Sequence, residues 1–404
     1  MTNAPSSINN GIPQDADNNE ENIVLEEIKT HPSKHEIHVD RYGHQKKYSK
    51  KQLRFLSKLK KNKCLKILNR IGITVIILFL ITLVLGAIYL FYAREKGKKS
   101  LLKGNQDAVI SAGLGATTDD NGHTVTYNGN TYKYNTNLAS IVILGIDESE
   151  LTNKEGTAGT ADAVYIFTFD TKTSKCSLIT VNRDTMVDVH LRSKSGKDMG
   201  YEKMQLAASY AYGDGRESSC ENTMESLSRI FYNIPFNNYV ALSWDAIAPL
   251  NDKLDGITVK CLEDVHTSYS DFKKGDTIEL HGKDAWSYVK YRNTEILESN
   301  PLRLSRQKQY IKAYVDKLLP KVKNDFRFAG QLYDVAKPYM CTTLTRDEVI
   351  YIASEIAPSL YSTKDINFVS IDGKITLGGD NAEFTPDEQN LYETILKVFY
   401  IKQD

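Results

Sequence analysis

Between Lys290 and Gln307 the chain reads Lys-Tyr-Arg-Asn-Thr-Glu-Ile-Leu-Glu-Ser-Asn-Pro-Leu-Arg-Leu-Ser-Arg-Gln, which gathers Lys290, Arg292, Arg303 and Arg306 around the start of a helix. Pro301 suits a first helical turn, and the spacing predicts a helix over 301–319. Leu304, Ile311, Val315 and Leu318 then form one apolar stripe, with Arg303, Arg306, Gln307 and Tyr310 on another. Cations at a helix N-terminus oppose its partial positive charge, at a few tenths to about 1 kcal/mol each, and a bound anion reverses that sign. Guanidinium forks match phosphate oxygens better than ammonium groups do. The cluster therefore reads either as a phosphate or pyrophosphate site or as a salt-bridged helix start using Glu295 or Glu298.

A second set of reactive groups follows short apolar runs. Residues 140–144, 163–169 and 175–181 are rich in β-branched and aromatic side chains and read as buried strands. They lead to Gly145-Ile146-Asp147 and Asn182-Arg183-Asp184, and ligands in α/β sheets gather beyond strand ends. Asp147 and Asp162 form the kind of hard-oxygen pair that Mg²⁺ uses while also holding substrate phosphates, although each alone reads better as a turn or helix cap. Arg183 after a buried strand needs a partner, either a ligand or Asp184. No Ser-His-Asp or Cys-His arrangement points to a hydrolase.

The elements that must position these groups alternate. Asn128-Gly129 centres a hairpin over 124–134, residues 221–234 read as a helix, and 239–243 and 257–262 as strands. Thr345-Arg346-Asp347-Glu348 and Thr385-Pro386-Asp387-Glu388 read as capping boxes before closing helices. The pattern is an α/β fold, a mixed central sheet layered with helices.

Residues 71–93 carry no charge and are long enough for a transmembrane helix, which needs about 20 apolar residues. Eight cations and no acid occupy 51–70, against five cations after the span, so the N-terminus is placed in the cytoplasm. The expected order is an acidic, disordered and then basic tail over 1–70, the span over 71–93, a Gly- and Ala-rich stalk over 94–123, and an extracellular catalytic domain over 124–404. The formal net charge is zero, so the whole molecule is no polyanion binder. The basic tract over 46–70 is expected to meet anionic lipid headgroups and not nucleic acid. Cys176, Cys220, Cys261 and Cys341 are irregularly spaced, which permits one or two disulfides and argues against structural zinc.

Several blocks stand in the order found in one family. Gly145-Ile146-Asp147, Ala161-Asp162-Ala163, Asn182-Arg183-Asp184-Thr185, Tyr210-Ala211-Tyr212-Gly213, Tyr288-Val289-Lys290-Tyr291-Arg292 and Arg303-Leu304-Ser305-Arg306-Gln307 resemble the LytR-CpsA-Psr proteins over residues 134–404. The resemblance implies a phosphotransferase at the outer face of a bacterial cytoplasmic membrane that moves a teichoic-acid- or capsule-like glycan from undecaprenyl pyrophosphate onto peptidoglycan. It also implies an apolar tunnel for the lipid. Asp147 and Asp162 would hold Mg²⁺ or Mn²⁺; Arg183, Lys290, Arg292, Arg303, Arg306 and Gln307 would hold the pyrophosphate; Arg183, Asp184 and Arg292 would be catalytic, Asp184 as candidate base. The chain departs from the family pattern at Lys290 and Thr160, where Arg is common, and at Glu298 and Asn300, where paired acids are common. Two other readings are a non-catalytic polyprenyl-phosphate sensor or scaffold, and a transcription attenuator, for which no helix-turn-helix is recognisable.

Overall fold

A computed structural model of the 404-residue chain describes residues 35–39, 45–119, 121–151, 158–193, 196–291, 299–378 and 381–403. The chain divides into two compact units, Met1–Gly86 and Ala87–Asp404. In the first, His35–Val39 and Gln45–Ser49 pair as an antiparallel hairpin, inside and just beyond the tail expected to be disordered. Helix α1, Lys50–Leu101, runs through the segment expected to span a membrane. Among the described residues no helix is long and apolar enough to cross one; the side chains of residues 59–76 lie outside the described set.

The second unit is built on six strands: β1 Leu138–Ile146, β2 Ala161–Asp170, β3 Cys176–Val181, β4 Asn238–Ser243, β5 Met340–Thr342 and β6 Ile366–Ser370. Their order is β5-β4-β1-β2-β3-β6. β1, β2 and β3 form an antiparallel meander, while β4 runs parallel to β1 and β6 parallel to β3, so the sheet is mixed as the sequence predicts. Among the described residues seven more α-helices follow: α2 Glu217–Ile230, α3 Ile247–Lys253, α4 Gly282–Lys290, α5 Ser299–Asn324, α6 Arg327–Ala336, α7 Arg346–Ile356 and α8 Glu388–Phe399.

Alternation along β1 assigns the two faces. Val142, Leu144 and Ile146 share a cluster with Leu227 of α2 and Phe399 of α8. Ala139 and Ile141 pack instead with Leu319 of α5 and Tyr351 of α7. Burying each such side chain contributes about 1.5–3 kcal/mol, so both faces of the strand hold the layers together. A third cluster, with Trp244, Leu254, Tyr288 and Tyr310, seats α3, α4 and α5 on one another.

Several expectations shift. The segment expected to be a stalk packs into the domain: Ala108 and Ile110 are buried, and Ile110 N donates to Asn121 O at 2.9 Å. Asn128 and Gly129 have φ of 49° and 73°, the positive values their hairpin turn needs. α8 is capped by Asp387, whose carboxylate accepts from Asn390 N, because Thr385 and Pro386 belong to a strand. α5 begins before Pro301 and continues through Pro320. Cys176, Cys220, Cys261 and Cys341 are buried free thiols.

Candidate functional site

Asp147 and Asp162 stand at adjoining ends of the antiparallel neighbours β1 and β2. Pairing jumps from Gly145–Ala163 to Ile146–Ala161, so Asp162 is the extra residue of a β-bulge, a device that re-aims a side chain. Thr160 Oγ1 donates to Asp162 Oδ1 at 3.0 Å, and Asp147 N donates to Thr160 O at 3.0 Å. Two carboxylates with a hydroxyl beside one of them suit a hard divalent cation that keeps water ligands. Both carboxylates already face cations: Lys290 Nζ is 3.0 Å from Asp147 Oδ1, while Arg183 Nη1 pairs with Asp162 Oδ1 and Arg303 Nη1 lies 3.9 Å from Asp162 Oδ2.

Arg183 is presented by a local turn. Asn182 Oδ1 accepts from Asp184 N at 3.0 Å and Asn182 O accepts from Thr185 N at 3.1 Å, which fixes the backbone just past β3. Asp184, the candidate base, is buried; its Oδ1 accepts from Arg183 Nε at 3.2 Å and from Gln205 Nε2 at 3.3 Å. In that arrangement the carboxylate aims the guanidinium.

On α5 the polar stripe faces inward beside most of the apolar one, whose Val315 and Leu318 pack on the core clusters. Arg303, Arg306, Gln307 and Tyr310 are buried, and Leu304 is 38% exposed. Arg303 and Gln307 border a cavity of about 230 Å³ between α5 and the sheet, with Asp162 and Arg183 at the same mouth and Val164, Leu178 and Phe368 among its walls. A second cavity of about 180 Å³ shares Tyr165, Gln307 and Ile311 and continues to Trp244 and Leu250. Burial pushes the Tyr165 phenol up to about 12, against the pull of Arg303, so this shared wall stays uncharged.

Arg306, expected at the pyrophosphate, lies between α4 and α5. It is fully buried and borders neither cavity. Its Nη1 donates to Tyr288 O at 2.5 Å, its Nη2 to Tyr291 O, and its Nε stands 2.8 Å from Glu263 Oε1, an ion pair outside hydrogen-bond geometry. Burial pulls this guanidinium below its usual range, opposed by Glu263. It staples the end of α4 to α5. Lys290, paired with Asp147, has its Nζ 5.2 Å from the Trp286 ring centroid. Arg292, Glu295 and Glu298 lie outside the described residues. Sequence reasoning missed Glu263, Gln205 and Phe384; none belongs to a motif, and each is brought in by tertiary packing.

The fold has solved counterparts. A crystal structure of Bacillus subtilis TagV aligns with TM-score 0.51 at 23% identity, covering 65% of this chain and 95% of that one. The protein gbs0355 of Streptococcus agalactiae aligns with TM-score 0.53 at 19% identity, covering 65% and 88%. The polyisoprenyl-teichoic acid–peptidoglycan teichoic acid transferase TagU of Bacillus licheniformis is 26% identical over 215 residues, 53% of this chain and 63% of that protein. TagV of Bacillus subtilis, which carries the same transferase name, is 27% identical over 262 residues, 62% of this chain and 61% of that protein. The chain thus matches less than two thirds of the length of either relative. The profile of one family covers residues 101–397, the stretch that holds the sheet, the Asp162–Arg183 pair and the α5 stripe, and the chain belongs to that family, LytR_cpsA_psr.

Proposed function

We propose that this chain is a membrane-anchored phosphotransferase that moves an anionic glycan, teichoic-acid- or capsule-like, from an undecaprenyl pyrophosphate carrier onto peptidoglycan at the outer face of a bacterial cytoplasmic membrane. The observation that carries the reading is the junction of Asp162, Arg183 and Arg303 with an apolar cavity. A phosphate headgroup on a lipid needs those two surroundings side by side. Family membership and the names of the relatives support the choice of glycan carrier. Anchoring is supported by the exposed apolar side chains of α1, such as Phe79 and Leu85, which favour a lipid environment over water.

Phosphoryl transfer asks the protein for alignment and charge neutralisation more than for covalent help. Arg183 and Arg303 hold the pyrophosphate oxygens, with Gln307 and Lys290 beside them. An acceptor hydroxyl on peptidoglycan attacks the glycan-side phosphorus. The new P–O bond forms as the bond to the lipid-side phosphate breaks, undecaprenyl phosphate leaves, and a base takes the hydroxyl proton, Asp184 being the candidate. Water is excluded by Val164, Leu178 and Phe368. Among the described groups, Arg183 and Arg303 face Asp162, Arg183 also faces Asp184, and Lys290 faces Asp147. Asp147 and Asp162 would hold a divalent cation, which when bound supplies the further positive charge that a pyrophosphate requires.

Purified full-length chain, given a labelled lipid-pyrophosphate glycan and peptidoglycan fragments, is expected to transfer label in the presence of Mg²⁺ and to stop on chelation. Binding of the lipid with no transfer under any metal condition would leave the sensor reading standing instead.

A further inference from the structure

The two cavities beside the sheet meet a third across a thin partition. The one bordered by Asp162, Arg183 and Arg303 joins the one reaching Trp244 through Ala163, Tyr165, Gln307 and Ile311, which line both. Beyond the second lies an outer groove of about 190 Å³ between α3 and α5, lined by Ile247, Leu250, Tyr310, Ile311 and Tyr314. All of these but Tyr314 also line the second cavity, so Ile247, Leu250, Tyr310 and Ile311 present one side to each space.

Tyr310 is the member of that partition with a polar tether. It leaves α5, and its hydroxyl donates to Asn251 Oδ1 of α3 at 2.9 Å, so its ring bridges the gap between the two helices. Asn251 is fully buried, and its Nδ2 donates to Leu280 O at 2.7 Å, which fixes the acceptor. Ile247, Leu250 and Ile311 are aliphatic and move aside by changing rotamer, whereas Tyr310 must give up a buried hydrogen bond. Space makes that difference matter. The two inner cavities measure about 230 and 180 Å³. A cavity of about 150 Å³ accommodates one benzene-sized molecule, so together they enclose a few isoprene units and not a whole undecaprenyl tail. The remainder needs an apolar path onward, and the groove behind Tyr310 continues the cavity that ends there with apolar and aromatic side chains.

Resting on the function proposed above, we infer that Tyr310 is a length-selective bar in the lipid path: short polyprenyl pyrophosphates stay on its inner side, and long ones thread past it into the α3–α5 groove at the cost of its bond to Asn251. Headgroup capture stays with the arginines.

The test uses the full-length chain in detergent micelles and two probes with the same headgroup, geranyl pyrophosphate and undecaprenyl pyrophosphate. Binding to wild type and to Tyr310→Phe is measured by calorimetry; the variant keeps the ring and removes only the tether. The expected result is roughly fivefold tighter binding of the long probe to the variant, because the bond no longer has to be broken, with the short probe unchanged. Unchanged or weaker long-probe binding, or an equal change for both probes, overturns the bar. Should Tyr310→Phe fail to fold, a second measurement decides without a variant. Undecaprenyl pyrophosphate carrying a diazirine midway along its tail is cross-linked to wild type, and mass spectrometry is expected to find the label on Tyr314, Ile247 or Leu250. Labels that avoid these residues overturn the path, as does equal labelling of them by a diazirine-bearing phosphatidylglycerol with no polyprenyl lipid present, which makes a membrane lipid the occupant. If wild type binds neither probe, the proposed function falls as well.

Discussion

Arg303 and Arg306 leave the same turn of α5, yet they serve opposite regions of the molecule. Arg303 opens onto the cavity mouth beside Asp162 and Arg183, while Arg306 is enclosed under α4 by Glu263 and two backbone carbonyls. The difference lies in the partners. A buried guanidinium matched to carbonyls and one buried carboxylate has its donors committed to the fold. Guanidiniums around a carboxylate at the edge of a cavity can exchange that carboxylate for phosphate. Charge in this domain is thus divided into a share that holds it together and a share that stays at the mouth.

The largest expected effect falls on the first share. Arg306→Ala strands Glu263 without its counter-charge and should lower unfolding free energy by about 3–5 kcal/mol, read by chemical denaturation. A change under about 1 kcal/mol would erase the distinction between the two arginines. Arg183→Ala should do the reverse: stability stays close to wild type, and transfer falls by roughly 10²–10³-fold, about 3–4 kcal/mol of transition-state stabilisation, in a single-turnover assay.

A smaller effect is expected at Asp214, another charge committed to the fold. Burial raises its pKa, but N–H donors from Arg216, Ser218 and Ser219 outweigh burial and hold the carboxyl below its ordinary 3.8. A depressed value means that the contribution is complete above that ordinary value and disappears as pH falls through the folded one. Asp214→Ala should therefore cost about 1–2 kcal/mol at neutral pH, with the gap from wild type closing in acid. Lys290→Ala should show the smallest stability change, about 0–1 kcal/mol, because both partners of its ion pair with Asp147 are 41% exposed. Its effect belongs to lipid binding, where the loss of a positive charge should appear as weaker affinity.

Much of the sheet was legible because strand periodicity is local: β1, β2, β3 and β4 fall within a few residues of the apolar runs. The Asn128-Gly129 turn and the Thr345 capping box were legible for the same reason, since their chemistry spans only a few residues. Asp162 and Arg183 meet as the strand-end argument anticipates, but the bulge that turns Asp162 depends on register against β1, which no single strand encodes. Both stripes of α5 were legible, but not that the arginines of one are buried. Helical spacing identifies two faces without telling which one a tertiary partner neutralises, and here Glu263 and Asp162, both distant in sequence, draw the arginines in. The segment near Ile110 read as a stalk because Gly and Ala carry little hydrophobic signal, yet its few apolar side chains find a ready core.

The central claim is best tested by solving the structure of the chain with a polyprenyl pyrophosphate bound. The account predicts two phosphates between Arg183 and Arg303, an aliphatic chain leading into the cavity below them, and Arg306 still on Glu263. Phosphates seated elsewhere, or Arg306 swung out to meet them while Arg303 stays on Asp162, would contradict it.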